Sequence, residues 1–156
     1  RDILAGRYDT PAAAAHRNPQ PQVAEGIWLG ARPEIHAMMD LSDGLASDIR
    51  HIMERSGVGA AIDIGRIPLA QGADVETAAC GGEDYKLLLT ADTAGGDWVS
   101  PPSGPSGGDA DRPAADFRAR FGTPLHPVGH ITDSDKLEWL ENGRPRALDW
   151  HGFTHY

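Results

Sequence analysis

Apolar residues recur at helical spacing most clearly between residues 45 and 56. There Leu45, Ile49, Ile52 and Met53 form one stripe, and Asp48, Arg50 and Glu54 lie off it. Ser42 or Asp43 stands where an N-terminal cap belongs, and Gly57 where a left-handed residue closes a helix. Upstream, residues 1–15 are Ala-rich and lean helical until Pro11 breaks them. Residues 16–21 are extended by their prolines, and 22–29 form a short helix with Val23, Ile27 and Trp28 on one side. Short apolar runs predict strands at 35–41, 60–64, 85–90, 126–131 and 137–140. Pro68 ends the piece after the second strand, 74–79 and 112–121 read as helices, and Asn142-Gly143 signals a hairpin turn. Strands interleaved with helices predict an α+β fold, a mixed sheet covered by helices.

Residues 92–115 break this rhythm. Gly95-Gly96, Pro101-Pro102, Gly104-Pro105 and Gly107-Gly108 leave few apolar side chains to offset ordering entropy, so a flexible insertion is expected. The forty-odd residues beyond it cannot hold a core of their own, which makes residues 1–156 one domain. The chain begins at Arg1 rather than Met, which suggests a fragment or a processed product.

Composition narrows the function. Fourteen basic against twenty-three acidic residues give a net charge of -9, the wrong sign for a nucleic-acid partner. The acidity serves solubility or holds divalent cations, and only local spacing separates the two. Cys80 is the single cysteine, so no disulfide closes within the chain and the thiol reads as a small buried residue. No apolar run reaches the length of a membrane span and no signal-peptide pattern opens the chain, so a cytoplasmic location is expected.

The chemistry-bearing residues sit at two corners. Asp40 ends a predicted strand, and Ser42-Asp43-Gly44 turns into the helix, the place where open α/β sheets bind ligands. Two carboxylates there can share a cation, magnesium being suited by its hard, oxygen-rich shell. The Ser42 hydroxyl and helix-start N–H groups can meet a phosphate. Spacing equally allows Ser42 and Asp43 to act as plain caps, with Asp40 solvated. At the second corner, Gly81-Gly82 permit close backbone approach or positive φ, and Glu83 and Asp84 face opposite ways if the strand has begun. A turn with solvated acids fits that spacing as well. The aromatics of Gly152-Phe153-Thr154-His155-Tyr156 dock against the core or stack on a flat heterocycle. The seven histidines show no His-x-x-x-His metal spacing, and neither a Walker lysine loop nor a Rossmann glycine triplet is present.

Together, these words in this order resemble the thiamine-monophosphate kinases. The resemblance runs through Arg17-Asn18-Pro19-Gln20-Pro21, Met39-Asp40-Leu41-Ser42-Asp43-Gly44-Leu45, Asp48, His51-Ile52, Ser56-Gly57-Val58-Gly59-Ala60, Pro68, Gly81-Gly82-Glu83-Asp84-Tyr85, Val128-Gly129 and residues 152–156. It implies the C-terminal domain of that family, three-layer α/β/α and AIR synthetase-like. The activity it implies is transfer of the γ-phosphoryl of ATP to thiamine monophosphate, giving thiamine diphosphate. Asp40 and Asp43 would be ligands of several magnesium ions, Ser42 an ATP contact, and Glu83 and Phe153 substrate contacts. The family's N-terminal ATP-binding domain, which also forms the homodimer, is absent from this chain, so the isolated chain is expected to be inactive. Lys86 stands where the family has an acidic residue, and Tyr156 where it has phenylalanine. Related enzymes of the superfamily (AIR synthetase, selenophosphate synthetase, the hydrogenase-maturation type) and a non-catalytic assembly domain are the alternatives.

Overall fold

Helix α3 (Leu45–Ser56) organises the molecule, because its apolar stripe is wide enough to serve two sheets at once. Leu45, Ala46, Ile49, Ile52 and Met53 are all buried, in one cluster with Ala60, Ile62, Ile67, Ala79, Leu88 and Trp139. The computed structural model describes residue 6, residues 8–92 and residues 113–152. Most of the Gly/Pro-rich segment expected to be flexible lies outside the described residues.

In chain order the elements are α1 (Pro11–Arg17), α2 (Val23–Gly30), β1 (Ile35–Asp40), α3, β2 (Gly59–Asp63), a 3₁₀ turn (Ile64–Arg66) and α4 (Val75–Cys80). They are followed by β3 (Leu87–Ala91), α5 (Pro113–Phe121), β4 (Gly129–Thr132), β5 (Leu137–Glu141) and β6 (Arg144–Arg146). The α+β class and the mixed sheet are as expected, but the described strands divide between two sheets. β1 and β3 pair antiparallel, with Asp40 opposite Leu87. The second sheet runs β4-β2-β5-β6, with β2 antiparallel to β4 and parallel to β5. β2 is central and buried from Gly59 to Ile62. Asn142 and Gly143, both at positive φ, make the tight turn between β5 and β6.

Three expectations need correction. Pro11 does not break a helix but starts one, at a first-turn position where its missing N–H costs nothing, and Thr10 caps Ala13 N–H at 3.1 Å. In α2, Val23 and Ile27 face solvent, Ile27 at 72% exposure, and Leu29 is the buried residue. Trp28 instead joins Phe117 and Phe121 of α5, with the Arg32 guanidinium 3.9 Å above its ring. Finally, Asp48 is not on the solvated side of α3; it is fully buried, at 0% exposure.

Trp139 is 4% exposed and meets Trp150 edge-on at 5.0 Å between centroids. Trp139→Ala is expected to cost about 3–5 kcal/mol in urea unfolding. Ile27→Ser, on the exposed side of α2, is expected to stay within about 0.5 kcal/mol of wild type.

Candidate functional site

The strand pairing of β1 with β3 continues past Asp40 as an irregular seam between the two acidic segments. Leu41 N–H donates to Lys86 O (2.7 Å), Tyr85 N–H to Leu41 O (2.8 Å) and Glu83 N–H to Ser42 O (2.7 Å). The cost is visible in the backbone: Glu83 (φ 67) and Tyr85 (φ 51) are left-handed without being glycine. Such residues persist where surrounding contacts over-determine them, and they concentrate at functional sites. The strand expected to begin at residue 85 therefore starts at Leu87, and the alternation that Glu83 and Asp84 would show had it begun earlier does not occur.

The corner into α3 is close-packed. The N-cap is Gly44, at φ 96, rather than Ser42 or Asp43. A Cβ there would lie 2.8 Å from Gly81 O, so both its conformation and its neighbours demand glycine. A Cβ on Gly152 would lie 2.2 Å from Ser47 Cβ and 2.5 Å from Asp43 O. Three segments far apart in sequence, around Asp43, Gly81 and Gly152, thus touch at one helix start.

Asp48 holds this corner from inside. Its Oδ2 accepts the Ser42 N–H (2.9 Å) and the Asp43 N–H (3.1 Å). Burial pushes its carboxyl up from the ordinary value, and the N–H groups of Asp43 and Ser42 oppose that rise. The turn amides of Ser42 and Asp43, expected to be free for a phosphate, are therefore engaged by the protein. Asp43 comes together with Asp48 and His51, one ligand atom from each lying within 4.8 Å of the others. Asp40 is exposed at the end of β1 and does not belong to that cluster. Ser42 is partly buried. The Glu83 carboxylate meets His16 Nδ1 of α1 at 3.2 Å, both half exposed. Desolvation raises the Asp84 carboxyl, with the Lys86 charge opposing the shift. Phe153 lies outside the described residues.

Residues 11–100, more than half of the chain, match the family of AIR synthase related proteins, C-terminal domain. The chain belongs to that family. The thiamine-monophosphate kinase of Salmonella typhimurium is 30% identical over 151 residues, covering 90% of this chain and 41% of its own length. The crystal structure of thiamine-monophosphate kinase from Stenotrophomonas maltophilia K279a superposes with a TM-score of 0.64 at 28% identity, over 92% of this chain and 42% of that one. AaThiL complexed with AMPPCP and TMP superposes with a TM-score of 0.62 over 99% of this chain and 46% of that one; at 22% identity the likeness is one of fold. The chain spans less than half the length of these relatives.

Within this family member, Asp48 and His51 are the residues that join Asp43 in this cluster without having been singled out as candidates from the sequence. His51 has no histidine at metal-ligand spacing, yet an Asp and a His three apart on one helix also share a face. Among the described residues no helix is long and apolar enough to cross a membrane. Cys80 borders the same corner; burial raises its thiol above the ordinary 9.0, Glu76 adds to the rise, and a backbone hydrogen bond from His151 opposes it. That agrees with a structural rather than a nucleophilic cysteine.

Gly44→Ala is expected to destabilise the protein by at least about 2 kcal/mol in denaturant unfolding, since it adds both strain and overlap. Alkylation of Cys80 by iodoacetamide, followed against pH, should rise with a midpoint above 9.0 in the native chain. In the urea-unfolded chain the midpoint should return to the ordinary cysteine range.

Proposed function

We propose that this chain is the C-terminal domain of a thiamine-monophosphate kinase, an ATP-dependent phosphotransferase that makes thiamine diphosphate. The observation that carries the reading is the seam joining Leu41-Ser42 to Glu83-Tyr85. In this reading the first segment meets metal and nucleotide and the second meets the acceptor substrate, and the seam holds the two side by side. The relatives named above support the substrate pair, one having been solved with AMPPCP and TMP.

In this reading Asp40 and Asp43 hold magnesium ions, and the donor set fits: hard carboxylates, with a buried, unpartnered Asp48 oxygen close by. When bound, magnesium neutralises phosphate charge, the main demand of phosphoryl transfer. The Ser42 hydroxyl contacts ATP, the Glu83 carboxylate binds the thiamine moiety, and Phe153 lies against its ring. No side chain has to remove a proton, because the attacking phosphate oxygen is already anionic. His16 competes for Glu83 until substrate displaces it. Residues 1–156 form one domain with an insertion at about 92–115. An N-terminal ATP-binding domain completes the site, with the whole enzyme a cytoplasmic homodimer.

The test uses the chain joined to such an N-terminal half. The complete protein is expected to convert thiamine monophosphate to the diphosphate with ATP and magnesium, whereas the 156 residues alone give no turnover. Asp43→Ala in the complete protein should lower kcat by at least about 100-fold with the circular dichroism unchanged. Turnover of an aminoimidazole or selenide substrate in place of thiamine monophosphate would contradict the assignment.

A further inference from the structure

The N-cap of α3, Gly44, has no side chain to receive the free N–H groups of a helix start. In a capping box, an acidic residue at the third helical position reaches back to the N-cap N–H. Asp48 stands at the fourth position and reaches past the cap. Its Oδ2 accepts the Ser42 N–H at 2.9 Å and the Asp43 N–H at 3.1 Å. Neither amide belongs to α3, so these bonds serve the turn before the helix and not the helix itself. Stability alone does not explain the arrangement. The carboxylate is fully buried, and its Oδ1 has no hydrogen-bond partner. A half-satisfied polar group suits an interior less well than an apolar side chain would. What the carboxylate secures is the path of residues 42 and 43.

We propose that Asp48 is a positioning residue for phosphoryl transfer, setting the main chain of the Ser42-Asp43 turn from inside the protein. The proposal rests on the kinase reading, in which Ser42 meets the nucleotide and Asp43 the magnesium. Asp48 is buried and acts through those two residues, by bonds that join backbone N–H groups to a carboxylate and are among the stronger hydrogen bonds. The same turn is tied on its other side, where Ser42 O accepts the Glu83 N–H at 2.7 Å. Asp48 therefore stands behind both acidic segments: releasing the turn frees residues 42 and 43 and loosens the hold on Glu83. Helical side chains lean toward the N-terminus, which is why a residue one turn into α3 can reach the turn that precedes it. The role is that of an acceptor of N–H groups, so a neutral side chain offering an oxygen at the same place should fill much of it.

The test compares variants of the complete protein, with turnover of thiamine monophosphate measured per folded molecule. Asp48→Ala should lower kcat by at least about 100-fold, the loss that a misplacement of about 1 Å brings. Asp48→Asn keeps a side-chain oxygen for the Ser42 and Asp43 N–H groups and should stay within about tenfold of wild type. Ile52→Ala, in the buried stripe of the same helix, controls for stability: it leaves a cavity, yet kcat should stay within about threefold of wild type. In the 156-residue chain, nuclear magnetic resonance should show couplings across the hydrogen bonds, from the Ser42 and Asp43 nitrogens to the Asp48 carboxyl carbon. Unchanged kcat in Asp48→Ala, an equal loss in Ile52→Ala, a loss in Asp48→Asn beyond tenfold, or missing couplings would each overturn the assignment. If Asp48→Ala does not fold, Asp48→Asn and the couplings decide. A complete wild-type protein without turnover counts against the kinase reading, and the couplings, read without any substrate, still show whether Asp48 holds the turn.

Discussion

A carboxylate removed from water needs donors, and Asp48 finds them in the backbone of the turn that precedes its own helix. This one requirement explains much of the corner. The chain must double back so that Ser42 and Asp43 face α3, which places Gly44 at a positive φ and brings it against the carbonyl of Gly81. The Ser42 and Asp43 amides are thereby held inward, on the Asp48 carboxylate. A helix start with open amides would attract phosphate by itself; here the turn amides of Ser42 and Asp43 are already taken by a carboxylate.

The seam extends the same constraint to the second acidic segment. Glu83 N–H is satisfied by Ser42 O and Tyr85 N–H by Leu41 O, which holds two non-glycine residues in the left-handed region. Hydrogen bonds of this kind contribute about 1 kcal/mol each net, comparable with the cost of that backbone conformation. The glycines of Gly81-Gly82 therefore are not where the chain turns left-handed. Gly81 is small because a Cβ would meet Thr77 O at 2.5 Å, and the left-handed backbone falls instead on Glu83 and Tyr85. Gly152 closes the assembly by running over Ser47, and three motifs separated by about forty and seventy residues become one surface.

What periodicity conveys was legible from the residues alone. The stripe of α3, an apolar strand around residues 87–90, the Asn142-Gly143 turn and a helix around 75–79 follow from local rules, and the resemblance of the acidic words pointed to the right family. What depends on a distant partner was not legible. Asp48 looks solvated on a helical wheel because the wheel does not know that the preceding turn folds over it. Residues 85 and 86 look like the start of a strand because nothing in the sequence announces that Leu41 and Ser42 will hold Glu83 and Tyr85 left-handed. Val23 and Ile27 look like a core face, yet Leu29 takes that place and Trp28 turns to α5. In each case tertiary packing decided between local alternatives that spacing had left open.

The proposed function rests on whether this corner behaves as one preorganised unit, since phosphoryl transfer is largely positioning. Native-state hydrogen exchange measures that directly at the amides of Leu41, Ser42, Asp43, Glu83 and Tyr85. If the seam and the Asp48 bracket hold the site, these five amides are protected together, at a level approaching that of the buried amides of α3. If Glu83 and Tyr85 exchange at the rate of an open loop while Ser42 and Asp43 remain protected, the two acidic segments are not one unit and the account is contradicted.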